Sequence, residues 1–280
     1  AIVTNIGLDH MDYFGTKECL KNTFLKFCSH VQSHEHLFWC KDNKYLRELD
    51  PHGISYGFSE DALLRGSHFQ QEGWNLSFDI HYKGKTYKRV AAPLIGFHNA
   101  LNVLSVFGLA LANGLSEQSI RDALFSFKGV KRRGDIICER DDILFIDDYA
   151  HHPTEISTTL YGLKMALGQR RLVVVYQPHR YSRVKGCLGQ FGKAFDHADE
   201  LLITDIYSAL EEPIAGIQSQ CIVDEVLSES DVSCAYVEKA NLESYLNHFL
   251  KSGDAVVFLG AGDISTFGLN YASAKEELSV

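Results

Sequence analysis

No apolar run in the chain approaches the roughly 18 to 20 residues that a bilayer-spanning helix requires, and no secretory signal is visible. Membrane insertion is therefore not expected. Basic residues are in the minority, 27 Lys and Arg against 36 Asp and Glu, for a formal charge of −9. Neutralising phosphates takes a concentrated Lys/Arg face, and none appears, which disfavours a mainly electrostatic nucleic-acid binder. There is no Cys-x-x-Cys. The seven cysteines are scattered and odd in number, which suits reduced thiols in a cytosol and reads as packing chemistry. Internal repeats, low-complexity tracts and blocks of like charge are missing too, so charge patterning adds little beyond solubility.

What is present is an ordinary globular composition, 45% hydrophobic and 22% charged, over 280 residues, enough for two domains with separate cores. Ala1 to Ile6 reads as a strand already under way, which predicts a fragment of a longer chain. Lys17 to His30 has helical spacing and Leu37 to Cys40 is a short apolar strand. Residues 54–58, 76–82 and 86–90 alternate like antiparallel strands, with Lys83-Gly84 as a hairpin turn. Asn99 to Ala112 is an apolar helix ended by Asn113-Gly114, and Ser116 caps another that runs to about Phe127.

Beyond Lys128-Gly129-Val130-Lys131 the pattern becomes regular. Strands are predicted near 143–147, 171–176, 200–205, 234–237 and 255–259, separated by helical stretches such as Glu155 to Leu167. The fold class expected is α/β, with domains at 1–130 and 131–280, the second a Rossmann-like, mostly parallel sheet. In such sheets the loops leaving the carboxyl ends of the strands line the ligand crevice.

Two polar clusters occupy such loops, Asp147-Asp148-Tyr149-Ala150-His151-His152-Pro153 and Gln177-Pro178-His179-Arg180-Tyr181-Ser182-Arg183. They are expected to face each other. Arg180 and Arg183, three apart at a helix start, can turn both forks to one side to grip a carboxylate or phosphate. His151 and His152 precede a proline placed to open a helix, so one ring caps and the other packs, or both face a ligand. Asp147 and Asp148 suit a ribose hydroxyl or a metal-bound water, or an ion pair with an arginine. Asp9-His10-Met11-Asp12 offers oxygen and imidazole ligands for a hard cation, or a helix cap. His98, Asn99 and Asn102 lie on the first turn of an apolar helix, where the amides either cap it or read the edge of a base.

Two glycine motifs are decoys. Gly84-Lys85-Thr86 ends like a phosphate-binding loop, but Asp79 stands where the leading glycine belongs and the segment is a hairpin. Gly260-Ala261-Gly262-Asp263 has Ser265 in place of the last glycine of the dinucleotide fingerprint, and reads as a turn that lets backbone approach a ligand. An NAD-dependent oxidoreductase would rest on fold alone.

Taken together, these stretches resemble the Mur ligases. The matching runs are Thr4-Asn5-Ile6 with Asp9 to Asp12, Gly96 to Asn102, Gly129 to Arg133, Asp147 to Glu155, Gln177 to Arg183, Glu211-Glu212-Pro213-Ile214 and Gly260 to Asp263. The resemblance implies the later part of a central ATP-binding domain followed by a complete amino-acid-binding domain. It implies ATP-dependent joining of L-alanine to UDP-N-acetylmuramate through an acyl phosphate, in peptidoglycan precursor synthesis. By motif, His10 would bind Mg²⁺, His98, Asn99 and Asn102 adenine, Arg132 or Arg133 phosphates, and Asp148 the ribose. Tyr149, His151, Arg180 and Arg183 would hold the amino acid, and His151 would help deprotonate its amine.

Gly7-Leu8 and Gly134 depart from the family's pattern. Its phosphate-binding loop and UDP-binding domain lie upstream of the first strand here, so residues 1–280 alone are expected not to hydrolyse ATP. A ligase that recycles a preformed tripeptide, and a non-catalytic nucleotide-binding derivative, are the alternatives.

Overall fold

The computed structural model describes residues 1–7 and 11–274, and the chain divides into two compact units, Ala1–Lys128 and Gly129–Val280. The first contains β1 (Ile2–Val3), α1 (Met11–Phe14), α2 (Lys17–Ser29), β2 (Phe38–Cys40), α3 (Lys44–Leu49), β3 (Ile54–Gly57), β4 (Leu64–Glu72), β5 (Asn75–Tyr82), β6 (Lys85–Ala92), α4 (Phe97–Ala112) and α5 (Glu117–Ser126). Its six strands form one sheet in chain order, parallel from β1 to β4 and antiparallel from β4 to β6. The β5–β6 turn falls at Lys83-Gly84, both with positive φ (47° and 76°), the backbone that matches the twist of paired strands. Thr16 and Ser116 cap α2 and α5 by accepting the amides of Cys19 and Ser119 at 3.1 Å.

Two expectations for this unit fail. Ile54–Gly57 is parallel to both neighbours and not part of an antiparallel meander, and all four of its residues are buried, as an interior parallel strand requires. The first strand covers only Ile2–Val3 rather than running to Ile6. β4 was not foreseen, because Ser67, His68, Gln70, Gln71 and Glu72 make it polar and a bulge between Ser67 and Gln70 breaks its alternation.

The second unit contains β7 (Asp135–Arg140), β8 (Ile143–Asp148), α6 (Pro153–Leu167), β9 (Leu172–Tyr176), α7 (Tyr181–Cys187), β10 (Glu200–Ile203), α8 (Ser219–Glu229), β11 (Ser233–Tyr236), α9 (Leu242–Phe249), β12 (Ala255–Leu259) and α10 (Ile264–Ser273). The sheet order is β11-β10-β9-β12-β8-β7, parallel except for β7 at the edge. Every residue of β9 and β12 is buried, so the apolar runs in the sequence are two-sided core strands covered by helices. Each large apolar side chain withdrawn there from water contributes about 1.5–3 kcal/mol. Because β12 lies between β8 and β9, the two polar clusters leave the sheet on either side of the Gly260 turn.

Candidate functional site

The carboxyl edge of the second sheet is built from the loops after β8, β9, β10 and β12. The β8 loop turns on Asp148, 3% exposed, whose Oδ2 accepts the Gly134 amide at 2.7 Å and whose Oδ1 accepts the Ala150 amide at 2.8 Å. Burial pushes its carboxyl up to about 6, against the pull of those amides. Asp147 accepts the Ser265 hydroxyl at 2.5 Å and lies 3.7 Å from Arg132 Nε, so the ion-pair reading holds for this carboxylate. Burial also raises its proton affinity.

His152 and His151 part company. His152 is the N-cap of α6, its Nδ1 accepting the Thr154 amide, while Glu155 accepts the backbone amides of His151 and His152 at 3.1 and 3.3 Å. That is a capping box, and it removes His152 from the convergence expected of both rings. His151 is buried with its Nδ1 3.0 Å from the Tyr149 carbonyl, which only accepts, so the neutral ring carries its proton there and its lone pair on Nε2. Its own carbonyl accepts the Tyr176 hydroxyl at 3.0 Å.

From β9, His179 comes to 5.9 Å from His151, ring to ring, and stacks on Tyr207 at 5.6 Å with the planes 16° apart. Burial, His151, Arg183 and Arg180 together push its pKa down to about 4, so this ring is neutral at physiological pH. Arg180 and Arg183 both lie close enough to His179 to lower its proton affinity, and Arg183 acts likewise on Tyr176. Arg180 is the N-cap of α7 with φ at 67°, and Arg183 follows in the first turn. The structure thus brings the Tyr149, His151 and His179 rings together, Tyr149 and His151 being 5.4 Å apart, and Arg180 and Arg183 stand beside His179 at the start of α7.

Arg132 and Arg133 both lie over the Tyr149 ring, at 4.7 and 5.5 Å. Arg132 is committed to protein, donating to the Gly260 carbonyl at 2.7 Å and the Gly262 carbonyl at 3.4 Å, whereas Arg133 is exposed. The glycine turn answers to packing within the protein. A Cβ at Gly260 would stand 2.8 Å from the Gln177 carbonyl oxygen, and one at Gly262 would stand 2.7 Å from Tyr207 Cγ. Gln177 bridges the two strand ends, donating to Asp263 Oδ1 at 2.8 Å and accepting the Ile264 amide at 3.1 Å.

In the first unit, α4 follows its N-cap Gly96 with no side-chain cap, so the capping reading of Asn99 and Asn102 fails. Asn99 instead donates to the Ile95 carbonyl at 2.8 Å and accepts from Asn102 at 3.2 Å. His98 is half-buried and Asn102 exposed beside them. His10 lies outside the described residues. Among the described residues no group of three or more His, Cys, Asp or Glu side chains is arranged to hold a metal ion.

Sequence reasoning gave no role to His179, Tyr207, Gln177 or Glu211. For His179 a signal existed, since it sits inside the second cluster. Tyr207 and Glu211 reach the site from the β10–α8 loop, and only their place just beyond a parallel strand could have pointed to them.

Residues 1–110 match the family described as Mur ligase middle domain, and residues 132–262 the one described as Mur ligase, glutamate ligase domain. A UDP-N-acetylmuramate--L-alanine ligase of Protochlamydia amoebophila (strain UWE25) is 46% identical over 266 residues, covering 95% of this chain and 59% of that protein. A bifunctional enzyme MurC/Ddl of Chlamydia caviae is 40% identical over 269 residues, covering 96% of this chain and 33% of its own length. Among solved structures, the UDP-N-acetylmuramate-alanine ligase MurC of Thermotoga maritima superposes with a TM-score of 0.82 at 26% identity, over 99% of this chain and 60% of that one. The chain therefore spans about three fifths or less of the relatives it matches.

Proposed function

The chain belongs to the Mur ligase family, and from that premise we propose that it is part of an ATP-dependent ligase that joins L-alanine to UDP-N-acetylmuramate. The convergence of His151, His179, Arg180 and Arg183 at one carboxyl edge carries the reading. It offers two cations for an amino acid's carboxylate beside the His179 ring, which burial and its cationic neighbours keep neutral.

In the reaction proposed, a carboxylate oxygen of the sugar nucleotide attacks the γ-phosphorus of ATP, ADP leaves, and an acyl phosphate results. The amine of L-alanine, having lost a proton, attacks the acyl carbon, and phosphate leaves from the tetrahedral intermediate. Positioning and charge neutralisation supply most of the acceleration in such chemistry. Arg180 and Arg183 hold the alanine carboxylate, and Tyr149 and His151 flank it. Nε2 of His151 bears the lone pair that receives the amine's proton. On the nucleotide side, Arg133 meets phosphates, Arg132 being tied to the Gly260 turn, and Asp148 shapes the loop by which a ribose would sit. His98, Asn99 and Asn102 present a polar edge to adenine at the start of α4. Mg²⁺, expected at His10, would neutralise phosphate charge. Among the described residues no cysteine forms a disulfide and no helix is long and apolar enough to cross a membrane.

The test is phosphate release by the full-length protein, with the product identified by mass. Release is expected to require ATP, UDP-N-acetylmuramate and L-alanine together. Turnover with a preformed tripeptide in place of L-alanine, or none with any amino acid, overturns the reading.

A further inference from the structure

The stretch Glu211-Glu212-Pro213-Ile214 enters none of the roles above, yet Glu211 is tied directly to the arginine segment. Its Oε1 accepts the Ser182 hydroxyl at 2.6 Å and its Oε2 accepts the Ser182 amide at 3.0 Å. The first turn of α7 needs this help. Its N-cap residue, Arg180, provides no side-chain cap, and Ser182 sits where a helix leaves an amide without an internal partner. The usual local solution, a Ser, Thr, Asp or Asn at the N-cap, is absent, and a carboxylate 29 residues further along the chain takes its place.

The β10–α8 loop holds the other side of the same turn. The Arg180 amide donates to the Tyr207 carbonyl, and the Tyr207 amide to the Pro178 carbonyl, both at 2.8 Å, forming a short parallel bridge at His179. Between Tyr207 and Glu211 the backbone passes through two left-handed residues, Ala209 at φ 50° and Leu210 at φ 70°, costly for side-chain-bearing residues, and Leu210 is fully exposed. Neither is a glycine, and the local strain is consistent with a loop held by its two ends. Glu211 also lies within electrostatic reach of Arg180 and His179.

We propose that Glu211 is a positioning residue for amino-acid recognition: by fixing Ser182 it sets where α7 starts, and so where the guanidiniums of Arg180 and Arg183 point. The inference rests on the function proposed above. Three charge-assisted or backbone hydrogen bonds at 179–182 come from one loop, so that loop acts on the affinity for the amino acid rather than on ATP.

Kinetics of the full-length protein test it, with thermal melting alongside. Glu211→Ala is expected to raise KM for L-alanine about tenfold or more, while kcat changes much less and KM for ATP and for UDP-N-acetylmuramate stay near wild type. Glu211→Gln, which retains an acceptor oxygen for the Ser182 amide, restores most of the loss. Ser182→Ala, which removes only the hydroxyl bond, gives a smaller rise, and the double variant is less than additive. An unchanged KM for L-alanine in an active Glu211→Ala protein overturns the proposal alone. So does an equal rise in all three KM values with a lowered melting temperature, the signature of general loosening. Absence of L-alanine turnover in the wild type overturns this proposal and the functional reading together.

Discussion

His179 and Asp148 stand on the same sheet edge and lean opposite ways in proton affinity. The His179 pKa falls from 6.5 to about 4, chiefly through burial and then through His151 and the two arginines. An unfolded chain takes up a proton at this histidine that the folded one refuses, so its contribution is whole above pH 6.5 and lost as pH falls towards 4. The Asp148 carboxyl moves from 3.8 to about 6, so its contribution is whole below 3.8 and lost as pH rises through 6. The two slopes oppose each other over much of the same interval. Denaturation midpoints measured across it are expected to lose their acid-side fall in His179→Phe and to lose the opposite slope in Asp148→Asn. Identical profiles for wild type and both variants would show that neither ring nor carboxyl is held as described.

At the scale of elements, α6 begins just after His151 and depends on its capping box. Glu155 accepts two amides there, those of His151 and His152, and no other carboxylate substitutes for it in the described hydrogen bonds. Glu155→Ala is expected to cost about 1 kcal/mol of stability. The check is a denaturant titration, and a variant as stable as wild type would contradict the capping role. The sequence made α6 readable through Pro153 and Glu155, and the parallel strands through their uninterrupted apolar runs. Other elements were illegible for physical reasons. β7 is half exposed along its length and its apolar stretch is only Ile136-Ile137-Cys138 between charged ends, too short to stand out from a loop. The orientation of β3 depends on partners 16 residues away at β2, and no local pattern encodes that. At α4, helical spacing was clear, but whether its amides cap or turn back to Ile95 depended on Gly96 taking φ 84°.

For the whole molecule, the legible part of the site was the part written twice in polar clusters after buried strands. His151 and the Arg180-Arg183 segment meet because β8 and β9 flank β12, an order that parallel topology permits and local sequence cannot dictate. The third contributor, the loop bearing Tyr207 and Glu211, is recruited from the next strand along and is visible only in three dimensions. Arg132 and Arg133 are likewise adjacent in sequence and indistinguishable there. The structure separates them, one bonded to the glycine turn and the other exposed.

The most direct test of the central claim is the KM for L-alanine of Arg183→Ala in the full-length protein, measured beside the KM for ATP. The pair of guanidiniums beside His179 predicts a rise of at least about tenfold for L-alanine with little change for ATP, as expected when a charged hydrogen-bond partner of a carboxylate is removed. Lysine at the same position should restore little, because a point charge does not reproduce the planar fork. An active Arg183→Ala enzyme with an unaltered KM for L-alanine would contradict the account.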